Sequence, residues 1–304
     1  MEIPKIVALE MTADAVEATV SYLADKLSAF VQKRERVMIC FDDQPGSLGY
    51  VFRLAVERCG GEAVVWGPDR RWKTLLRQAF FCKAGTIIGP PFVILGLTKL
   101  SKATGTPLYL RDIVTAGYPC LDWMIEGIQN GLDCKTWGCF DWLCTGMILG
   151  FSEVGIPGVR LRGGSIGVKI LDEEGKELPD GEFGRVVVYH TAQPDVYYPT
   201  MDYGLLKPEQ GKNKLLQRIE PGCGMDRQLV QYTHELMGFS SVLDCRMTMG
   251  RCGLELEVIH FPGERLPKLP SCAKLVLRPW DPDRDEPFWV LPEWKNEAKS
   301  FDSH

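Results

Sequence analysis

The chain has 304 residues, 45% of them apolar and 25% charged, with a formal net charge of −5 at pH 7. That is enough chain for a large buried core, in one domain or two unequal ones. The acidic balance excludes a nucleic-acid protein built on a basic face, and no run approaches the ~20 apolar residues of a membrane helix.

The first elements follow a repeating pattern. Residues 12–33 carry apolar side chains at Val16, Val20, Leu23, Leu27 and Phe30, the stripe of an amphipathic helix with Thr12 as its N-cap. "RVMICF" (36–41) reads as a buried strand, "GYVFRLAVERCGG" (49–61) as a helix closed by glycines, and "EAVVWG" (62–67) as the next strand. A helix (72–85), a strand (86–89), a helix (92–103), a strand (108–117) and a helix (120–131) continue the series. Short strands alternating with helices of about a dozen residues predict βαβ units and a mostly parallel sheet.

After about residue 150 the texture changes to Gly, Pro and alternating Val, as in "GVRLRGGSIGVKI" and "GRVVVYH", which predicts an antiparallel β meander. "LDEEGKELPDGEFGRVVV" (171–188) is a hairpin with an acidic turn. "KPEQGKNKLLQ" (207–217) reads as a linker. Beyond it a helix (226–238) and three strands predict a small α+β unit. The expected fold is α/β: a mostly parallel sheet with helices over 1–150, an antiparallel meander over 151–206, a linker over 207–217 and a small α+β domain over 218–304.

Eleven cysteines are many, but their spacing is not that of a disulfide scaffold, and buried free thiols are expected. Cys134, Cys139 and Cys144 have no usual metal-ligand spacing; Cys245 and Cys252 flank a turn. The four histidines are scattered, with no order pointing to a Ser-His-Asp site. The N-terminus lacks a succession of basic, apolar and small residues, so a cytoplasmic, non-membrane protein is expected.

"GIPGVRLRGGSIGVKILDEEGKELPDGEFGRVVV" (155–188) resembles a signature of the adenylate-forming enzymes, the acyl-CoA synthetase and luciferase superfamily, in which a strand ending in Asp leads to "G-x-x-x-x-x-G-E-x-G-E-L". It looks most like the phenylacetate-CoA ligase and coenzyme F390 synthetase branch. "LRDIVTAGYPC" (110–120) is similar to the strand ending in "G-G-E-P", and "IIGPPFVILGLTKLSKATG" (87–105) to the helix that helps build the acyl pocket. "CKTWGCFD" (134–141) stands where the family has "Y-x-x-Y-G-x-T-E", and "YYPTMDYG" (197–204) where it has "R-Y-R-T-G-D". The α+β tail matches the family's small lid domain in size and place.

The resemblance implies AMP-forming carboxylate–CoA ligase chemistry, with ATP or AMP, Mg²⁺ and CoA as ligands. It implies nucleotide-binding roles for Gly117, Tyr118, Trp137, Gly138, Asp202 and Arg218, and a Mg²⁺ role for Asp141. Asp202 would accept the ribose hydroxyls and Trp137 would stack on adenine. Phe140-Asp141 replaces the Thr-Glu pair, and Lys268 is the loop residue nearest to the lid's catalytic lysine. The helix at 12–33 resembles the one that follows the family's phosphate loop, so the chain reads as a truncated homologue. "DDQPGSLGY" (42–50) is the nearest substitute for that loop, and its two acids would repel phosphate. Three readings stand: a protein binding a small carboxylate, acyl group or nucleotide without adenylating it; an active ligase; or a subunit or interaction protein. In the last, a partner chain supplies the phosphate loop or the chain forms a homo-oligomer.

Overall fold

β1 (Arg36–Ile39) shows why the first half folds as it does. Val37 and Ile39 enter one apolar layer and Met38 the other. A strand apolar on both faces needs cover on both. α1 (Ala13–Leu27) and α2 (Leu48–Arg58) supply it on one side through Leu23, Leu27, Val51 and Phe52. α3 (Trp72–Cys82), α4 (Pro91–Thr104) and α5 (Asp122–Gln129) supply it on the other through Trp72, Leu75, Leu97 and Ile128. The structure, a computed structural model, describes residues 12–67, 69–142, 146–153, 156–208, 214–221, 227–250, 253–263 and 274–288.

Local signals set the helix ends. The Thr12 hydroxyl accepts from the Ala15 amide at 3.3 Å, and Ser47 caps α2 by accepting from the Tyr50 amide at 3.2 Å. Pro91 opens α4, and Gly105, at φ 65°, ends it. α1 stops at Leu27, short of the predicted residue 33. The chain turns there, yet Phe30 and Val31 still pack on the sheet.

β2 (Glu62–Val65), β1, β3 (Thr86–Gly89), β4 (Asp112–Thr115) and β5 (Lys135–Asp141) lie side by side in that order, all parallel. The sheet then turns antiparallel through β6 (Ile148–Glu153) and β7 (Ile156–Leu161). It continues through β11 (Lys214–Pro221), β10 (Gln193–Pro208), β9 (Phe183–His190) and β8 (Ile166–Leu171), making eleven strands. The expected hairpin is β8–β9, with Gly175 and Gly181 at positive φ in its excursion. Of the predicted linker, 207–208 and 214–217 lie in strands, and 209–213 lie outside the described residues. Pro208 closes β10, Lys214 opens β11, and the buried Leu215 and Leu216 anchor β11 between β7 and β10.

α6 (Arg227–Gly238), β12 (Val242–Gly250), β13 (Gly253–His260) and β14 (Lys274–Pro279) form the C-terminal unit. β12 and β13 pair antiparallel, and β14 runs parallel to β13. Its apolar side chains are shared with the rest of the molecule. Leu243, Ile259 and Phe261 join the core of α3, α4 and α5, while Leu236, Met237, Val242 and Cys245 pack with Phe92 and Met124. The buried ammonium of Lys99, on α4, donates to the carbonyls of Met237 and of Val242, the latter at 2.8 Å. The Trp72 amide donates to the Asp285 carbonyl at 2.9 Å. Among the described residues no helix is long and apolar enough to cross a membrane.

Candidate functional site

Three sequence-predicted residues meet at the carboxyl end of the parallel strands, the end at which open α/β sheets bind ligands. Gly117 follows β4, Asp141 ends β5, and Asp202 lies on β10. Gly117 has φ 79°, a conformation open to glycine at little cost. Its amide donates to Asp141 Oδ2 at 2.6 Å. Asp141 is buried at a register shift between β5 and β6, which carries its carboxylate to the strand end.

Neighbouring contacts bring β10 to this end. Trp142 Nε1 donates to the Pro199 carbonyl at 2.8 Å, and its ring meets Tyr198 edge-on at 6.0 Å. Thr200 donates to the Val186 carbonyl at 3.0 Å and accepts from the Asp202 amide at 3.2 Å. Burial and the adjacent Asp141 carboxylate push the Asp202 carboxyl well above the usual range, with the Thr200 hydroxyl acting in the opposite direction. Asp202, whose ionisation the neighbouring acid disfavours, forms with Asp141 a proton-holding or cation-accepting pair. They offer the hard oxygen donors that Mg²⁺ takes when substrate phosphates complete its shell.

Beside this pair lies an aromatic cluster. Tyr118 shares a hydrogen bond of 3.1 Å with Nε2 of His234, which α6 contributes from the C-terminal unit. Phe92 lies 4.9 Å from the Tyr118 ring and 5.7 Å from the imidazole, and Trp123 lies 5.9 Å from the imidazole. Burial lowers His234 to about 4, so the imidazole is neutral at pH 7. His234 is not singled out by the sequence. Its one signal was a polar residue on the apolar stripe of a helix, which ordinary core histidines also show.

The other predicted residues do not converge here. Trp137 stacks on Phe30 at 4.6 Å and donates through Nε1 to Asp112 Oδ1 at 3.0 Å, near the opposite end of the strands. The Gly138 amide is held by Ser152 Oγ at 2.6 Å. Arg218 is exposed, with its guanidinium over Phe183 at 5.0 Å and 3.8 Å from Glu220. The 42–50 loop has its acidic and serine side chains engaged by other groups of the chain. Ser47 caps α2 and donates to the Asp42 carbonyl at 2.6 Å, Asp42 pairs with Arg70, and Asp43 pairs with Arg53 at 2.9 Å. Among the described residues no three His, Cys, Asp or Glu side chains group closely enough to hold a metal ion. Cys139 and Cys245 are buried free thiols, while Cys144, Cys252 and Lys268 lie outside the described residues.

No family model matches the chain, and no curated protein does. Solved structures do. A 2-hydroxyisobutyryl-CoA ligase in the postadenylation state, in complex with 2-HIB-AMP, is similar at TM-score 0.65 and 15% identity, covering 81% of this chain and 58% of the ligase. A benzoate CoA ligase from Burkholderia xenovorans is similar at TM-score 0.57 and 13% identity, covering 86% and 62%. A variant of the amide bond synthetase McbA from Marinactinospora thermotolerans is similar at TM-score 0.52 and 15% identity, covering 82% and 57%. The chain has the fold of the adenylate-forming CoA ligases and matches about three-fifths of the length of each of these proteins.

Proposed function

We propose that this chain binds a small carboxylate or acyl group, or a nucleotide, at the carboxyl ends of β4 and β5, and that these 304 residues do not adenylate it unaided. The convergence of Gly117, Asp141 and Asp202 carries this reading, in a fold whose neighbours include a ligase in complex with an acyl adenylate. Asp202 is the acceptor for ribose hydroxyls. Tyr118, with Phe92 and Trp123 beside it, forms the apolar wall on which an aryl or acyl group rests. Asp141 is the residue that would hold Mg²⁺, which on binding neutralises phosphate charge. The acyl ligand belongs to the phenylacetate class, following the 155–188 signature.

Adenylation also needs a Ser/Thr/Gly-rich loop whose amides and hydroxyls cradle phosphate, and the 42–50 loop has its acidic and serine side chains engaged elsewhere. Because the chain matches only about three-fifths of its neighbours' length, a second reading is a ligase completed by a loop from another chain.

Titration calorimetry with ATP, AMP and CoA, with and without Mg²⁺, and an ATP–pyrophosphate exchange assay over aryl and acyl carboxylates test the proposal. Expected are saturable binding of ATP or AMP, weakened at least tenfold in Asp202→Ala, and no exchange by the chain alone. Robust exchange overturns the non-adenylating part. Absence of binding to every nucleotide and carboxylate tried overturns the binding part.

A further inference from the structure

The opposite end of the same strands carries a second concavity that the proposed function does not use. It is a shallow, solvent-open cleft of about 510 Å³. The turns entering β1, β3 and β4 build it, so it opens at the amino edge of the sheet, away from Asp141 and Asp202. In a chain of net charge −5 its lining holds five basic side chains against two acidic ones.

The two acids are already engaged. Glu35 accepts from the Gln32 amide at 2.8 Å and from Thr86 Oγ1 at 2.8 Å, and pairs with Arg111 at 2.5 Å. Glu62 lies 3.6 Å from Arg36. Lys33, Arg34 and Lys83 remain, all exposed and without an ion pair among the described residues. Gly85 keeps Glu35 and Arg111 together, because a Cβ there would lie 2.4 Å from Glu35 Oε1.

A second observation is independent of charge. Three non-glycine described residues have positive φ, and two of them line this cleft: Arg34 at 63° and Lys83 at 48°. Lys83 is the C-cap of α3, a position that favours glycine. Left-handed backbone at long basic residues is strained, and such strain clusters at ligand sites. Beside these cations Tyr109 presents an exposed ring, backed by Phe80 at 6.3 Å. Concentrated positive charge holds phosphate, and an exposed ring stacks on a planar base.

From this cleft we infer a second ligand site, separate from the carboxylate pair, for a nucleoside phosphate. Lys33, Arg34 and Lys83 hold the phosphates, and the base rests on Tyr109. The test is titration calorimetry of the full chain at 50 mM NaCl with ADP and, separately, with pyrophosphate. All titrations are read in an Asp202→Ala background, where nucleotide binding at β4 and β5 is already weakened, and both probes are expected to bind saturably there. Arg34→Gly/Lys83→Gly relieves the backbone while removing the charge. It is expected to melt no lower than the parent chain and to lose at least tenfold in affinity for both probes. Tyr109→Ala is expected to lower ADP affinity about fivefold and leave pyrophosphate unchanged. No saturable binding below 1 mM, or affinities unmoved by the double substitution, would overturn the site. Equal responses of ADP and pyrophosphate to Tyr109→Ala would overturn its assignment to a nucleoside phosphate.

Discussion

Asp202 and Asp244 are both aspartates whose carboxyls burial pushes upward, but their surroundings differ in kind. Asp244, on β12, accepts from the Cys245 amide at 2.9 Å and the Phe288 amide at 2.8 Å, with Lys99 and Arg246 lowering its pKa. It settles at about 7. Asp202 has another acid as its neighbour and sits well above the usual range. Asp244 is thus supported as a structural group is, by donors and cations from the chain itself. Asp202 keeps a penalty that a proton or a bound cation would remove, as the proposed binding role requires.

The strongest way to break this contrast is at Lys99. Lys99→Met leaves the Met237 and Val242 carbonyls without their buried donor and removes a cation near Asp244. A loss of about 3 kcal/mol is expected in urea unfolding. A change below about 1 kcal/mol would mean that water replaces the ammonium at the joint.

Asp202→Asn should act in the opposite direction. A carboxyl whose folded pKa is raised contributes stability that is fully present below its unfolded value, near 3.8, and is lost as the pH rises through its folded value. The amide removes that loss. The variant should therefore be more stable than the parent at pH 8 and no more stable at pH 3.5. Melts across pH read this directly, and a gain independent of pH would show that burial and Asp141 do not hold the Asp202 carboxyl above its ordinary range.

The smallest effect is expected at Trp137→Phe. It loses one hydrogen bond to Asp112 but keeps a ring beside Phe30, for about 1 kcal/mol of stability. AMP affinity should stay within twofold. A larger loss of affinity would restore Trp137 to the site despite its place toward the other end of β5.

Periodicity made most of the first half legible. Val16, Val20, Leu23 and Leu27 announced α1, and the buried Val37, Met38 and Ile39 of β1 and the buried residues of β3 stood out between helices. β5 was hidden because Lys135, Thr136, Trp137 and Gly138 do not look like a strand until β4 and β6 flank them. β11 was hidden by its Lys- and Gln-rich surroundings, although Leu215 and Leu216 carry the burial. At the site, the resemblance named Gly117, Asp141 and Asp202, which the fold brings to one end of the strands. It could not tell which side of β5 Trp137 would take, since a strand places neighbours on opposite faces. The contact between His234 and Tyr118 joins distant segments and left no local mark.

The late strand β11 also orders how the molecule can be assembled. Leu216 meets Val159 of β7 on one side and Leu206 of β10 on the other. While the chain is being made, both partners are complete before β11 emerges, and each shows a bare row of amides and carbonyls on its inner edge. At a synthesis rate of about 10 residues per second, the β7 edge waits for several seconds. An open strand edge is a template for pairing with another chain. Ribosomes that stall between Pro208 and Pro221 should therefore be where this protein aggregates.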